Sequence, residues 1–183
     1  MNSAILNALY AGNTTEAHRI ARALPLFDVF EAAALGDVAA LALRLDEDPK
    51  AVEAIAEDGF TPLHLAAYFG SLGAVRLLIE RGATVDGLAL NAMAVTPLHS
   101  AVSARQEMIA SLLLAHGADP NATQRGGIAP LHQAVQNGDD DAIETLLAAG
   151  ARVDLRADDG RLPIDYAAPE KRAAYALLLT VCG

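Results

Sequence analysis

Apolar and polar positions along this chain recur on a cycle much longer than the period of any one helix or strand. The clearest cycle runs from Asp58 to Asp86. Asp58-Gly59 is a tight-turn dipeptide. Thr61 is placed to cap a short helix, with Pro62 at its first position, where the missing N–H costs nothing. Leu63, Leu65, Ala66 and Ala67 fill that helix, and Gly70, tolerant of positive φ, ends it. Ser71 to Arg81 then form a second, longer helix, to which Val75, Leu77, Leu78 and Ile79 give an apolar face. Gly82 closes it, and Ala83 to Asp86 lead into the next turn.

The start of this cycle, Thr61–His64, returns as Thr96–His99, fades to Ala129-Pro130-Leu131-His132 and ends as Leu162-Pro163-Ile164-Asp165. The starts lie 35, 33 and 33 residues apart. A fixed period of this size marks a solenoid array, in which the question becomes which surface is presented rather than which reaction is catalysed. The Leu-Leu pair and the Gly-Ala ending recur in step, as Leu112-Leu113 with Gly117-Ala118-Asp119-Pro120-Asn121, and as Leu146-Leu147 with Gly150-Ala151-Arg152-Val153-Asp154.

These motifs closely resemble the ankyrin repeat. The resemblance implies an all-α solenoid of stacked helix pairs joined by short β-turn or hairpin connections. Three units match well, over residues 58–90, 91–124 and 125–157. Residues 28–57 read as a degenerate first unit, because Phe30 to Asp37 align with His64 to Ser71 while the capping Thr-Pro is missing. Its outer helix should end near Asp46-Glu47-Asp48-Pro49. Residues 158–183 read as a degenerate capping repeat with a last helix from about Pro169 to Val181. Residues 1–27 read as an N-terminal helical cap, a helical pair over 3–24 with a capping box at Asn13-Thr14-Thr15-Glu16. Leu177-Leu178-Leu179 leaves that last helix apolar all round, so one leucine is expected at the surface, with weak end-to-end association of an otherwise monomeric protein as the consequence.

Composition narrows the function. With 53% hydrophobic and 20% charged residues the chain is globular, and with only 4% aromatics its core must be built from Ala, Leu and Val. A net charge of −10 disfavours nucleic acid and anionic membranes, whose phosphates need clustered Lys and Arg. A basic protein partner fits better, although an acidic protein needs no partner to explain its charge. The lone cysteine, Cys182, makes no intrachain disulfide. The N-terminus, Met1-Asn2-Ser3-Ala4-Ile5-Leu6, has no basic leader region, and no stretch approaches the length of a membrane span. A reducing cytoplasm is the expected compartment. Eleven of the thirteen basic residues are Arg and Ala is abundant, which points to a GC-rich bacterial genome.

Five histidines invite a metal or catalytic reading. His64, His99 and His132 share one repeat position, and the resemblance implies a structural role for it, bonding the turn and the capping Thr. His116 precedes Gly117 at a helix C-terminus, and His18 has no acidic or Cys partner at ligand spacing. Asp139-Asp140-Asp141 opens an outer helix, where carboxylates suit the dipole, and Asp158-Asp159 belongs to a turn. No metal site, cofactor, phosphate loop or nucleophile elbow is predicted.

In the ankyrin family, turn tips and the exposed side of the inner helices grip partners, so the resemblance places partner contacts at Glu57, Asp58, Phe60, Tyr68, Phe69, Leu90, Met93, Arg125, Ile128 and Gln136. Tyr68-Phe69 occupies positions the family fills with polar or variable residues. The pair reads as an interface anchor with an acidic rim, or as packing against a neighbouring repeat or the finger at 87–95. That connection is two residues longer than its equivalents and unusually apolar. It is either a specificity finger or a tolerated insertion whose leucines fold back. Residues 28–86 hold eleven Asp and Glu against four Lys and Arg, whereas residues 150–183 hold five of each. The expected function is non-catalytic protein binding through the concave face. The alternative is an acidic inhibitor or immunity-type protein occluding a basic site, distinguished by strong salt dependence.

Overall fold

Each capped Pro-Leu-His segment begins a short inner helix in the computed structural model, which describes residues 3–23 and 27–182. Eleven α-helices run in chain order among these residues. They are α1 (Ala4–Tyr10), α2 (Thr14–Ala23), α3 (Val29–Leu35), α4 (Val38–Glu47), α5 (Pro62–Tyr68), α6 (Leu72–Glu80), α7 (Pro97–Ser103), α8 (Glu107–Ala115), α9 (Pro130–Asn137), α10 (Asp140–Ala148) and α11 (Arg172–Cys182). Two 3₁₀ helices, Pro49–Glu53 and Pro163–Tyr166, complete the set. The described residues hold no strand, only an isolated antiparallel bridge between Gln124 and Ile128. The expected end of the helical pair at residue 24, the leader positions Met1 and Asn2, and the side chains of Leu178 and Cys182 lie outside the described residues.

Local chemistry accounts for the helix starts. Thr61 and Thr96 sit extended at φ −85° and −90°, and each is bound through its side chain to the histidine three residues on. The first inner helix, which lacks the Thr-Pro, is capped too. The Asp28 carboxylate accepts from the Glu31 N–H at 2.7 Å, and the Glu31 carboxylate accepts from the Asp28 N–H at 3.0 Å. A capping box of different composition therefore serves the same donors, and Glu31 rather than Phe30 takes the histidine's position in the cap, buried though acidic. Positive φ at Gly36, Gly70 and Gly138 turns the chain from inner to outer helix, and in the third such turn Arg105 adopts φ 57° instead.

The inner helices α3, α5, α7 and α9 stack in one row, with α4, α6, α8 and α10 behind them. Ala32, Ala33, Ala66, Ala67, Ala101 and Ala134 are fully buried in the common core. Their small side chains let the helices approach closely, and Leu41, Leu63, Leu78, Leu98, Leu113, Leu131, Ile143 and Leu146 fill the space between the two rows. Acidic and amide residues at the ends of repeats tie each loop to the next. Glu53 accepts from the Thr84 N–H, Asp86 from the Asp119 N–H, and Asn121 bridges Gly150 O and the Arg152 N–H.

Both ends depart from the repeat. At the C-terminus the inner helix shrinks to one 3₁₀ turn, and α11 starts at Arg172 rather than near Pro169. Lys171 holds the preceding turn, donating to Gly138 O at 3.0 Å and pairing with Asp140 at 2.9 Å. Leu179 is buried and Leu177 is exposed. At the N-terminus, Asn13 accepts from the Glu16 N–H, but Glu16 reaches forward to Arg19 rather than back, so only half of the expected capping box forms. Ile5, Leu6 and Leu9 of α1 join Ala17, Ala21, Ala34 and Leu65 in a second, smaller core, against which Phe60 and Phe69 also pack. No helix among the described residues is long and apolar enough to cross a membrane.

Candidate binding surface

The recurring histidines brace this surface from beneath. His64 Nδ1 lies 2.8 Å from Thr61 Oγ1, and its Nε2 lies 2.9 Å from Val95 O in the next turn. His99 repeats the arrangement with Thr96 at 2.8 Å and Ile128 O at 3.0 Å. Burial pushes all three histidines below their ordinary pKa, His99 to about 4, so each stays neutral at pH 7 with Nε2–H free to donate to a carbonyl. His132 differs: its cap is Ala129, whose N–H donates to Nδ1 at 3.1 Å, and its Nε2 has no partner among the described residues. No group of three or more His, Cys, Asp or Glu among the described residues could hold a metal ion.

The turn tips are bonded edge to edge. Leu90 N–H donates to Gly59 O at 2.8 Å, Arg125 N–H to Met93 O at 2.9 Å and Asp158 N–H to Gly126 O at 2.8 Å. In the finger, Asn91 Oδ1 accepts from the N–H groups of Met93 and Ala94, allowing Ala94 its φ of 50°. Ala89 and Val95 are buried at the finger's base, but Leu88, Leu90 and Met93 stay 52, 72 and 53% exposed. The leucines do not fold back; the insertion presents them.

The structure divides the Tyr68-Phe69 pair. Tyr68 is 42% exposed, whereas Phe69 is half-buried against the N-terminal core with its ring 5.1 Å from that of Tyr10. The cluster it joins is built from the helical pair together with Ala34 of the neighbouring repeat 28–57. Tyr10 also reaches Tyr68, at 6.4 Å between rings, and its hydroxyl donates to Asp58 Oδ2 at 2.9 Å. Burial, reinforced by that carboxylate, pushes the Tyr10 hydroxyl above its usual range. Tyr10 was not legible here in the sequence, because no periodicity says where α1 lands on the stack.

Tyr10, Tyr68, Met93, Ser103, Gln124 and Gln133 line a hollow of about 260 Å³. Phe60, Leu65, Val95 and the edges of His64 and His99 form its floor. Three of the residues singled out in the sequence, Phe60, Tyr68 and Met93, thus come together. Ile128 and Gln136 line a shallower hollow farther along, beside Asp158, Asp159, Arg161 and Tyr166. Glu57, Leu90 and Arg125 are exposed at the tips and line neither hollow, while Asp58 is half-buried beneath Tyr10.

Comparison with known proteins agrees with this geometry. The family described as "Ankyrin repeats (3 copies)" matches residues 29–124, and "Ankyrin repeats (many copies)" matches 113–167. Serine/threonine-protein kinase VIK of Arabidopsis thaliana is 41% identical over 81 residues, which is 44% of this chain and 18% of the kinase. Rabankyrin-5 of Homo sapiens is 46% identical over 61 residues, 33% of this chain and 5% of that protein. A probable E3 ubiquitin-protein ligase, XBOS31 of Oryza sativa subsp. japonica, is 44% identical over 63 residues, 34% of this chain and 14% of the ligase. The chain spans less than a fifth of the length of these relatives.

Proposed function

Since the chain belongs to the ankyrin-repeat family, whose fold serves generally for protein–protein interaction, we propose that it is a non-catalytic module holding a partner protein against its concave face and turn tips. The observation that carries this reading is the finger's exposed apolar side chains Leu88, Leu90 and Met93, the last lining one hollow with Tyr68. Glu57, Asp58, Phe60, Arg125, Ile128 and Gln136 form the polar and apolar surround. Phe69 belongs to it indirectly, by seating Tyr10 and Tyr68. The activities in the relatives' names do not enter this reading, since the match covers so little of each. The net charge of −10 argues against nucleic acid as the partner. A cytoplasmic site of action goes with it.

The test is affinity capture followed by cross-linking, with wild type beside a Tyr68→Ala, Met93→Ala double variant. Capture lost by the folded variant, with cross-links falling on 57–69 and 87–105, supports the reading. Undiminished capture with cross-links on the outer helices overturns it. A second reading rests on the eleven acidic against four basic residues in 28–86: the protein occludes a basic site on an enzyme. In that case affinity falls steeply as ionic strength rises. Self-association through α11, where Leu177 is exposed, would appear as concentration-dependent sedimentation that Leu177→Glu abolishes.

A further inference from the structure

The hollow on the concave face has a definite size and chemistry. At about 260 Å³ it is smaller than the pockets that take whole drug-sized ligands or cofactors, and suits one large side chain. Tyr10, Phe60, Leu65, Tyr68, Met93 and Val95 give it an aromatic and aliphatic lining, and no charged side chain lines it, so filling it strips water from no ion. The rest of its rim is polar. The Ser103 hydroxyl and the Gln124 carboxamide have no hydrogen-bond partner among the described residues, and the Gln133 amide, which donates to Asn137, keeps its own carbonyl oxygen open. Such groups are of use to a segment with backbone N–H and C=O to offer, which an extended strand has and a helix does not.

Charge around the hollow is polarised. On the Tyr68 side stand Glu57 and Asp58, within the acid-rich stretch 28–86. Toward the following repeats, the lining residues Ser103 and Gln124 are followed by the exposed cations Arg105 and Arg125, the latter bonded through its N–H to Met93 O. Arg105 is held at φ 57° where the neighbouring turns use glycine, and its guanidinium donates to Asn137 O, which fixes that cation beside the rim.

Resting on the concave-face reading, we infer that the partner segment is extended and places one large apolar side chain in the hollow between Tyr10, Tyr68, Met93 and Ser103. The same segment carries a basic residue toward Glu57 and Asp58 and an acidic residue toward Arg105 and Arg125. Tyr10 closes the hollow at the N-terminal end, so the helical pair sets where the segment starts.

Selection of phage-displayed random peptides on the immobilised full chain tests this. Enriched peptides should share one Phe, Tyr, Trp, Leu or Met with Lys or Arg on one side and Asp or Glu on the other. Their affinity should fall about tenfold or more on Ser103→Trp, which fills the hollow from an exposed rim position. A Glu57→Lys, Arg125→Glu variant should select the opposite charge order. Thermal melts establish that Ser103→Trp is folded, and Gln124→Trp fills the same space if it is not. Peptides that bind Ser103→Trp at full strength but fail on Leu90→Asp would remove the hollow and leave the concave-face reading standing. An apolar anchor without the charge order would overturn the partner chemistry. No enrichment over an unrelated protein, or indifference to every variant, would overturn both.

Discussion

Ala129→Thr tests whether the capping logic of the repeat holds where the sequence abandons it. Ala129 has φ −89° and ψ 163°, within a few degrees of Thr61 at −85° and 165° and Thr96 at −90° and 166°. The backbone is therefore already set for a threonine. At the two native sites the hydroxyl lies 2.8 Å from the histidine Nδ1 and accepts a longer bond, 3.4 Å, from the histidine N–H. Most of the gain should come from the short contact, giving about 1 kcal/mol, typical of replacing an alanine cap. For a chain of 183 residues that corresponds to a rise in melting temperature of roughly 2–4 °C. The hydroxyl would be buried, so failure to reach its partners would cost about 1–3 kcal/mol instead. Calorimetry of Ala129→Thr beside Ala129→Val separates the hydrogen bond from the added methyl, because only threonine should stabilise. A melting temperature unchanged or lowered by threonine, or raised equally by valine, would refute the reasoning.

Gly59→Ala should cost about 2 kcal/mol in urea unfolding, because φ is +86° and an added Cβ would lie 2.6 Å from Leu90 O. An unchanged midpoint would mean that the finger moves aside without loss. Phe69→Ala should cost about 2 kcal/mol, half the loss for a fully buried Phe, whereas Tyr68→Ala should cost about 1 kcal/mol or less. Equal costs would return the two residues to one role. Acidification should destabilise the fold between pH 6.5 and 4, where an unfolded histidine binds a proton that neutral, buried His99 refuses. The slope for this one group is about 1.4 kcal/mol per pH unit. His64 and His132 add in the same direction, while Asp28, pushed up by burial, opposes them. His99→Gln should flatten the profile measured by melts from pH 7 to 5, and an unaltered slope would contradict the assignment.

The fold was legible because its determinants are local. Thr61, Pro62, Gly70 and Gly82 each act within one turn of themselves, and their recurrence multiplies the signal. What escaped depends on contacts distant in sequence or on chemically different solutions to one local need. Asp28 with Glu31 caps α3 without a threonine. The turn at Arg105 adopts a glycine conformation without a glycine. The hollow was half legible. Phe60, Tyr68 and Met93 stood out by type and position, but Tyr10 enters across 48 residues of sequence, through a docking of α1 that no periodicity encodes. The same docking packs Phe69 against the N-terminal core and leaves Tyr68 exposed.

The central claim is that the concave hollow and its tips are where a partner sits. Hydrogen exchange of the full chain, alone and with a captured partner or selected peptide, tests it most directly. Exchange should slow at 57–69, 87–105 and 124–136, an effect lost in Ser103→Trp, with the outer helices α4, α6, α8 and α10 unchanged. Protection confined to those outer helices, or protection that survives Ser103→Trp intact, would contradict it.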